Sequence, residues 1–429
     1  MNIIRFPERV EWTALLERPR LNHHTLEDQV KKMIEDVAAN GDAAVRAYSR
    51  EFDGYEAGSL EVSAEEVTAA QGKVSSELKK AIDEAYRNIF TFHKKQVQQV
   101  ETIVTAEGVS CWQKPVPISR VGLYIPGGSA PLLSTVLMLG IPAKIAGCRE
   151  VILCTPPGSK GEVSPSILYI ASLLGIDRIF RVGGVQAIAA MAHGTESIPS
   201  VRKIFGPGNQ YVTMAKQLVS QETVAIDMPA GPSELAVVAD SSSNPAFIAS
   251  DLLSQAEHGP DSQVLLITDS AEIIDRVGAE ILRQLKDLPR KEIAEKALNN
   301  SKMILLNNQD EIMEMVNLYA PEHLIIVTSN YAELADRVVN AGSVFLGDYS
   351  PESAGDYASG TNHTLPTSGW AHSFSGINMD SFFKKITFQE ISRQGLANIG
   401  DAIMTMAGAE ELQAHSNAVS IRLNFKGDE

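Results

Sequence analysis

Val121-Gly-Leu-Tyr-Ile125, the turn Pro126-Gly-Gly-Ser129 that follows it and a helical stretch at about 134–146 together indicate the fold class. A short apolar strand, a glycine turn and a helix of ten or more residues form the repeating unit of a parallel sheet. The unit recurs with strands predicted at 151–154, 178–182 and 203–205, and it restarts with strands at 234–239, 263–267, 303–306, 324–327 and 343–346. We therefore predict an α/β protein with two Rossmann-like parallel-sheet lobes, one inserted in the other.

The sequence on either side of these units has a helical pattern. Apolar positions at helical spacing predict helices at 26–39, 41–50 and 75–97, and the stretch from 389 to 423 returns to helix. We therefore predict a helical N-terminal region and a helical C-terminal tail that packs on something else, such as another subunit. The predicted domains are an N-terminal arm (1–24), a first α/β lobe in two pieces (25–120 and 233–375), an inserted α/β lobe (121–232) and the tail (376–429).

The composition is typical of a globular protein and narrows the partners. The chain has 429 residues, of which 44% are hydrophobic, and its net charge is −16. This charge argues against nucleic acid or an anionic membrane as a partner. No apolar run approaches the roughly 20 residues that span a bilayer, and the charged first residues do not resemble a signal peptide. We therefore expect a cytoplasmic protein.

The cysteines do not suggest chemistry. Cys111, Cys148 and Cys154 are too few for a disulfide scaffold in so long a chain, and their spacing fits no structural zinc motif. Cys154 lies in a predicted buried strand, where a thiol is expected to pack rather than to react.

Three glycine-rich turns follow predicted strands of the inserted lobe, at 126–129, 183–186 and 206–209. In open α/β sheets, ligands bind beyond the carboxyl ends of the strands. Glycine lets the backbone approach a ligand, and a following helix N-terminus attracts phosphate, so the turns suggest a nucleotide or other anion site. None has the G-x-G-x-x-G pattern, and tight turns between strand and helix need glycine in any case.

Gln255 and His258 are candidate metal ligands at a helix end. They are three residues apart in a helix predicted to stop at Gly259, so they share one face. The alternative is an ordinary helix end with a His near the negative end of the dipole. The polar segment 349–363 has the length of a functional loop and offers Asp356 and His363 as further candidates. Mixed nitrogen and oxygen ligands suit zinc or a similar divalent ion.

Other polar residues are candidates for catalysis or substrate binding. Glu322 and His323 precede a predicted strand, and a carboxylate beside an imidazole suits general acid–base catalysis, although such pairs also occur by chance. Ser233 lies in a polar turn before another strand. Glu410 and His415 lie in the tail, where their spacing alone favours a solvated helix face.

Six segments together resemble the histidinol dehydrogenase family, and they occur in the family's order from about residue 25 to the C-terminus. They are Val121-Gly-Leu-Tyr-Ile-Pro-Gly-Gly-Ser-Ala-Pro-Leu, Gly206-Pro-Gly-Asn, Asp227-Met-Pro-Ala-Gly-Pro-Ser-Glu, Gln255-Ala-Glu-His-Gly-Pro, Ala320-Pro-Glu-His and Gly355-Asp-Tyr-Ala-Ser-Gly-Thr-Asn-His-Thr-Leu-Pro-Thr. The tail segment Glu410-Glu-Leu-Gln-Ala-His415 resembles the branch that oxidises histidinol, rather than paralogues that act on other polar alcohols such as sulfonated diols.

The resemblance implies four sets of site residues. The implied zinc ligands are Gln255, His258, Asp356 and His415, the last supplied by the partner in a domain-swapped homodimer. The implied substrate contacts are Ser233, Glu410 and His323, together with the metal ligands. The implied NAD-site residues on the inserted lobe are Tyr124, Gln186 and Asn209, and the implied catalytic pair is Glu322 and His323. His363 is not a ligand in this scheme.

The implied reaction is the oxidation of L-histidinol to L-histidine, the last step of histidine biosynthesis. It proceeds through bound L-histidinal with two hydride transfers to NAD. His323 would accept the hydroxyl proton, Glu322 would activate water, and one zinc per subunit would hold the substrate. Two alternatives stay open: a paralogue acting on another polar alcohol, and a two-lobed binding protein without catalysis. The Glu322-His323 pair and the missing secretion signal argue against the second.

Overall fold

The computed structural model describes residues 1–19, 23–55, 58–127, 132–158, 160–222 and 224–425, and for residues 23–25 only the backbone. The glycine turn at 126–129 therefore lies partly outside the described residues, as do short pieces of the predicted arm and tail. The chain forms two compact units. The first combines Met1–Gln96 with Ile118–Phe382, and the second combines Val97–Pro117 with the chain from Phe383 onward. The division of the first unit into lobes at 121 and 233 stays a prediction.

The strands of the described residues are β1 (Asn2–Arg5), β2 (Thr102–Ala106), β3 (Val109–Pro117), β4 (Arg120–Tyr124), β5 (Glu150–Cys154), β6 (Arg178–Phe180), β7 (Lys203–Phe205), β8 (Ala225–Ile226), β9 (Glu234–Ala239), β10 (Gln263–Thr268), β11 (Lys302–Leu305), β12 (His323–Ile326), β13 (Ser343–Leu346) and β14 (Phe383–Ile391).

The α-helices are α1 (Trp12–Leu15), α2 (His23–Asp53), α3 (Ala64–Gln71), α4 (Ser76–Lys94), α5 (Leu133–Ala146), α6 (Pro165–Leu174), α7 (Gly184–His193), α8 (Gln210–Ser220), α9 (Pro245–Ala256), α10 (Ala271–Gln284), α11 (Lys291–Asn299), α12 (Gln309–Tyr319), α13 (Tyr331–Ala335), α14 (Glu352–Tyr357), α15 (Arg393–Ala409) and α16 (Gln413–Asn424). Short 3-10 helices occur at Arg9–Glu11, Leu285–Asp287, Trp370–His372 and Met379–Phe382. None of the described helices has both the length and the apolar character needed to cross a membrane.

A five-stranded sheet lies between Arg120 and Ile226. Its strand order is β6-β5-β4-β7-β8, and every neighbouring pair is parallel. Counted along the chain this is the order 3-2-1-4-5, which is typical of the Rossmann arrangement. Its core of strand and helix residues also takes in Val37 and Val45 of α2, so the N-terminal helix covers this sheet.

A six-stranded sheet has the order β1-β11-β10-β9-β12-β13, again with every pair parallel. Strands β9 to β13 repeat the order 3-2-1-4-5, and β1 adds to the edge beside β11. Every residue of β9 and β10 is buried, as expected for parallel strands covered on both faces. The predicted α/β class with two Rossmann-like parallel sheets is confirmed.

The second unit differs from the predicted all-helical tail. Its helices α15 and α16 are present, but β14 pairs antiparallel with β3, and β3 pairs with β2. Trp112 and Phe388 stack across this sheet with ring centroids 5.5 Å apart. The side chains of β14 beyond Phe383 are exposed. Because neither face of this strand is buried, its sequence lacks the regular alternation of apolar and polar residues that predicts a strand.

Several helix boundaries differ from the predicted ones, among them those at Gly41 and at the end of α9. The predicted break between the helices at 26–39 and 41–50 is a kink within α2 at Gly41, whose φ of 54° only glycine adopts readily. Helix α9 ends at Ala256 rather than at Gly259. His258 therefore lies in the turn after the helix, where its amide donates to the carbonyl oxygen of Gln255 at 3.3 Å.

Candidate active site

The pair Glu322-His323 lies at the amino edge of the six-stranded sheet. His323 begins β12 and pairs in register with Leu235 of β9, and Glu234 begins β9. These candidate residues therefore lie at the opposite edge from the carboxyl ends, where ligands are expected in open α/β sheets. The segments that enter β9 and β12 lie beside the end of α9 at this amino edge. Glu322 and His323 are thereby placed next to Gln255.

Hydrogen bonds hold Glu322 beside His323. The amide of Glu234 donates to Glu322 Oε2 at 2.9 Å, and Gln255 Nε2 lies 3.5 Å from the same oxygen. Burial raises the pKa of Glu322 well above its ordinary value, and the charges of Glu234 and Asp356 raise it further. A carboxyl group with a raised pKa is suited to exchange protons with water near neutral pH.

His323 has one buried ring nitrogen without a hydrogen-bond partner among the described residues. Its Nδ1 lies 3.3 Å from the carbonyl oxygen of Glu234, while Nε2 has no hydrogen-bond partner among the described residues. Burial lowers the pKa of His323 to about 3, so the imidazole is neutral at physiological pH. When the Nδ1 proton is donated to the carbonyl of Glu234, the lone pair of Nε2 is available to accept a proton.

An ion pair that the sequence did not predict holds Glu234 in place. Arg18 Nε donates to Glu234 Oε1 at 2.6 Å, and Arg18 Nη2 donates to Glu234 Oε2 at 3.0 Å. The Ser368 amide also donates to Glu234 Oε1, at 2.7 Å. This pairing neutralises one buried carboxylate and fixes the backbone that contacts both Glu322 and His323.

His258, Glu352 and Asp356 form a group that could hold a metal ion. One ligand atom from each lies within 4.8 Å of the others. Glu352 and Asp356 are four residues apart on α14, which places them on one face. Asp356 Oδ1 lies 3.7 Å from His323 Nε2, and Gln255 Nε2 lies 3.3 Å from His323 Nδ1. The structure thus gathers three of the predicted ligands, Gln255, His258 and Asp356, around one imidazole.

The donor set fits zinc. Both carboxylate oxygens of Glu352 are buried without a hydrogen-bond partner among the described residues. Burial, with neighbouring carboxylates, raises the pKa of Glu352 well above its ordinary value, and burial raises the pKa of Asp356 to about 7. Carboxylates in this environment are stabilised by a cation, and one imidazole with carboxylate oxygens is a ligand chemistry that zinc accepts.

A cleft of about 260 Å³ opens beside this group. Ser233, His258 and Glu322 line it together with the glycine turn at 206–209. His363 also lines it, but its Nδ1 lies 3.0 Å from the Asp356 carbonyl oxygen and its Nε2 lies 3.1 Å from Thr135 Oγ1. Both ring nitrogens of His363 are thereby occupied, in keeping with the prediction that it is not a ligand.

The predicted NAD-site residues line one cavity of about 1080 Å³. Tyr124 ends β4, Gln186 lies in the first turn of α7, and Asn209 precedes α8, so all three are at the carboxyl edge of the five-stranded sheet. The Gly184 amide donates to the Tyr124 hydroxyl at 3.1 Å. A Cβ at Gly206, whose φ is 134°, would collide with the carbonyl oxygen of Tyr124, so this turn requires glycine.

Glu410 and His415 belong to the second unit. Glu410 follows the last residue of α15, and His415 lies in the first turn of α16. Both are exposed within that unit.

The cysteines show no activation. Cys154 is fully buried, and burial raises the pKa of its thiol. Burial likewise raises the pKa of Cys148 to about 12. Neither thiol is poised to form a thiolate near neutral pH.

The chain is similar over nearly its whole length to known histidinol dehydrogenases. The family model described as histidinol dehydrogenase matches residues 16–423. A histidinol dehydrogenase from Bacteroides thetaiotaomicron is 60% identical over 424 residues, which cover 99% of both chains. One from Escherichia coli (strain K12) is 52% identical over 413 residues, 96% of this chain and 94% of the relative. The crystal structure of histidinol dehydrogenase from Elizabethkingia anophelis has a TM-score of 0.96 and 52% identity, and the match covers 99% of this chain and 98% of that one.

Proposed function

Because this chain belongs to the histidinol dehydrogenase family, we propose that it oxidises L-histidinol to L-histidine through bound L-histidinal, with two hydride transfers to NAD and one zinc ion per subunit. Oxidation of histidinol in histidine biosynthesis follows from the family, and the zinc, the NAD and the bound aldehyde are the proposal. The observation that carries it is the buried Glu322-His323 pair beside the ligand group of His258 and Asp356.

The first oxidation uses His323. The Nε2 lone pair would accept the proton of the substrate hydroxyl, and NAD, when bound, would take a hydride from the carbon that bears this hydroxyl, so that the carbon–oxygen single bond becomes a carbonyl. The carbonyl of Glu234 accepts a hydrogen bond from Nδ1 and holds the ring from its other side. Burial keeps the imidazole neutral, so it enters the reaction as a base.

The second oxidation uses Glu322. Its carboxylate would accept a proton from water as the water oxygen adds to the aldehyde carbon, and a second NAD, when bound, would take the hydride from this carbon to give the carboxylic acid. The raised pKa of Glu322 favours this proton uptake. Keeping the aldehyde bound prevents the loss of a reactive intermediate.

The remaining site residues are proposed to bind zinc, the substrate and NAD. Zinc, held by Gln255, His258, Asp356 and His415 of the partner subunit, would supply a template for the substrate imidazole and amine. The further substrate contacts are Ser233 and Glu410, and the NAD-site residues are Tyr124, Gln186 and Asn209. A carboxylate such as Glu410 is suited to accept a hydrogen bond from an imidazole N–H.

We infer a homodimer in which the tail completes the partner's site. The second unit supports this, because many of its large apolar side chains are exposed: Ile386, Phe388, Ile391, Met406, Leu412, Ile421 and Phe425. Exposed apolar side chains are a mark of a protein–protein interface when they lie together in one patch. A cytoplasmic location also stays a prediction.

The test combines zinc content with NADH formation from L-histidinol. The wild-type protein should contain one zinc per chain and form two NADH per histidinol, and His258→Asn should lose zinc and activity together. Cys111→Ala is the control and should keep both. Unchanged zinc in His258→Asn, measured by atomic emission, would refute the ligand assignment. Failure of the zinc-loaded protein to reduce NAD with histidinol would instead favour the binding protein without catalysis.

A further inference from the structure

Lys216 and Asp227 form a buried ion pair to which neither the family resemblance nor the proposed reaction gives a role. Lys216 Nζ lies 2.5 Å from Asp227 Oδ1, and the two side chains are 4% and 1% exposed. Lys216 lies on α8, and Asp227 directly follows β8. Taking two charges out of water is costly, and apolar side chains of similar volume often stabilise a fold as well as a buried ion pair does. Stability alone is therefore a weak reason for two charges at this place.

The pair holds Gly206 by both polar groups of its backbone. The Gly206 amide donates to Asp227 Oδ2 at 2.8 Å, and Lys216 Nζ donates to the Gly206 carbonyl oxygen at 2.8 Å. The backbone of Tyr124 lies against the same residue, so closely that a Cβ on Gly206 would collide with the Tyr124 carbonyl oxygen. The place of Gly206 is therefore set by strand β4 and by the ion pair together.

The glycine turn at 206–209, which begins at Gly206, forms part of both cavities of the proposed reaction. Asn209 lines the cavity of about 1080 Å³ proposed for NAD, and all four residues of the turn line the cleft of about 260 Å³. A hydride passes directly from the substrate carbon to the nicotinamide ring, so the two must approach to about 3–3.5 Å. The turn therefore lies where the two reactants must meet.

We propose that Lys216 and Asp227 are positioning residues for both hydride transfers, because by holding Gly206 they place the turn that sets bound NAD against the substrate carbon. This inference rests on the proposed function and adds to it two residues that act through the backbone of the turn. The same carbon is oxidised twice, so a displaced turn should slow both transfers alike. Loss of the Glu322 carboxylate, in contrast, should slow the second oxidation more than the first.

The test is the rate of each hydride transfer in single turnovers of the zinc-loaded full-length protein, with histidinol and with histidinal, at saturating NAD. The double variant Lys216→Met/Asp227→Asn removes both charges, so no lone charge stays buried. Both transfers should slow at least about tenfold and by similar factors, since a displacement of about 1 Å can cost about 100-fold. The KM for histidinol should stay within about threefold of the wild-type value, because the residues that bind the substrate are intact. Zinc content should not change.

Asp42→Asn is the matched control. Asp42 also holds a loop segment with its carboxylate, which accepts from the Thr195 hydroxyl at 2.6 Å and from the Ser197 amide at 3.2 Å. Among the described residues that line the two cavities, none belongs to the segment 195–198. The control should therefore melt at a lower temperature than the wild type, because charge-assisted hydrogen bonds are weakened, and should keep both hydride-transfer rates.

A second variant covers the case in which the double variant does not fold. Asp227→Asn alone keeps an oxygen that can accept from the Gly206 amide and loses the ion pair. It should slow both transfers by similar factors, though less than the double variant does.

Wild-type rates of both transfers in a folded variant would overturn the inference and leave the proposed function in place. Slowing of one transfer alone, or slowing that matches a loss of zinc, would also overturn it. A wild-type protein that does not reduce NAD with histidinol would overturn the proposed function as well, which separates the two failures.

Discussion

Among single residues, a substitution of Glu322 should slow the second oxidation much more than the first. Glu322→Gln keeps an oxygen that can accept from the Glu234 amide, so the local structure should persist. The variant cannot take a proton from water, and oxidation of the aldehyde should slow by roughly 100-fold or more. Oxidation of the alcohol should slow much less. The measurement is NADH formation in single turnovers, with histidinol and with histidinal supplied directly, and equal losses on both would contradict the role given to Glu322.

Asp251 should make stability depend on pH. Burial raises its pKa to about 7, whereas the unfolded chain loses this proton at a pH of about 4. Between these values the folded state binds a proton that the unfolded state does not, so this contribution to stability is lost as pH rises towards 7. Asp251→Asn removes the loss and should be more stable than the wild type at pH 8, by about 1–4 kcal/mol.

Urea unfolding of the wild type and Asp251→Asn at pH 5 and pH 8 measures this effect. The difference in unfolding free energy should be smaller at pH 5. A difference that is the same at both pH values would show that the Asp251 carboxyl group does not change its protonation on folding.

The sequence predicted individual site residues more readily than the residues that contact them. His258 and Asp356 were predicted because imidazole and carboxylate are familiar metal ligands. Glu352 was missed, although its spacing of four residues from Asp356 would place both on one face of a helix. The composition of the segment 349–363 predicts a loop, so the spacing of four residues has no helical meaning until the structure shows α14. The pairing of Arg18 with Glu234, which are 216 positions apart, left no local pattern to read.

At the scale of elements, Asn209 at the start of α8 caps the helix and also lines the cavity proposed for NAD. Asn209 Oδ1 accepts from the Val212 amide at 3.1 Å, and the same residue lines the cavity proposed for NAD. Asn209→Ala should lose about 1 kcal/mol of stability with the cap, and its KM for NAD should rise. Asn209→Ser should recover the stability but not the KM, because serine caps a helix with a shorter side chain. If serine restores both, the residue acts only as a cap.

The buried strands were predicted better than the exposed strands β2 and β14. The strands predicted at 203–205, 234–239 and 263–267 agree with β7, β9 and β10, since apolar runs bounded by turns indicate covered parallel strands. Strands β2 and β14 present mostly exposed side chains, so their sequence lacks the corresponding pattern. Strand β1 also went unpredicted, because its four residues form a strand only by pairing with β11.

At the scale of the whole molecule, a site shared between subunits should allow two inactive variants to restore each other. His258→Asn and His415→Ala should each be inactive alone. After mixing and reassociation, a mixed dimer contains one site with both residues intact. Activity should return to roughly a quarter of the wild-type value, because about half of the dimers are mixed and each has one intact site. The recovery is measured by activity assays before and after reassociation, with each variant taken through the same procedure alone as a control. No recovery would mean that both residues belong to one subunit's site.

The antiparallel sheet of the second unit cannot be completed until late in synthesis of the chain. Strand β3 is complete once Pro117 has been added, yet its partner β14 begins only at Phe383. At about 5–20 residues per second, the ribosome needs on the order of tens of seconds to supply that partner. Throughout this interval the nascent chain carries an open strand edge, which is a template for aggregation. The length of the intervening segment thus sets how long each newly made chain depends on protection before its last strand arrives.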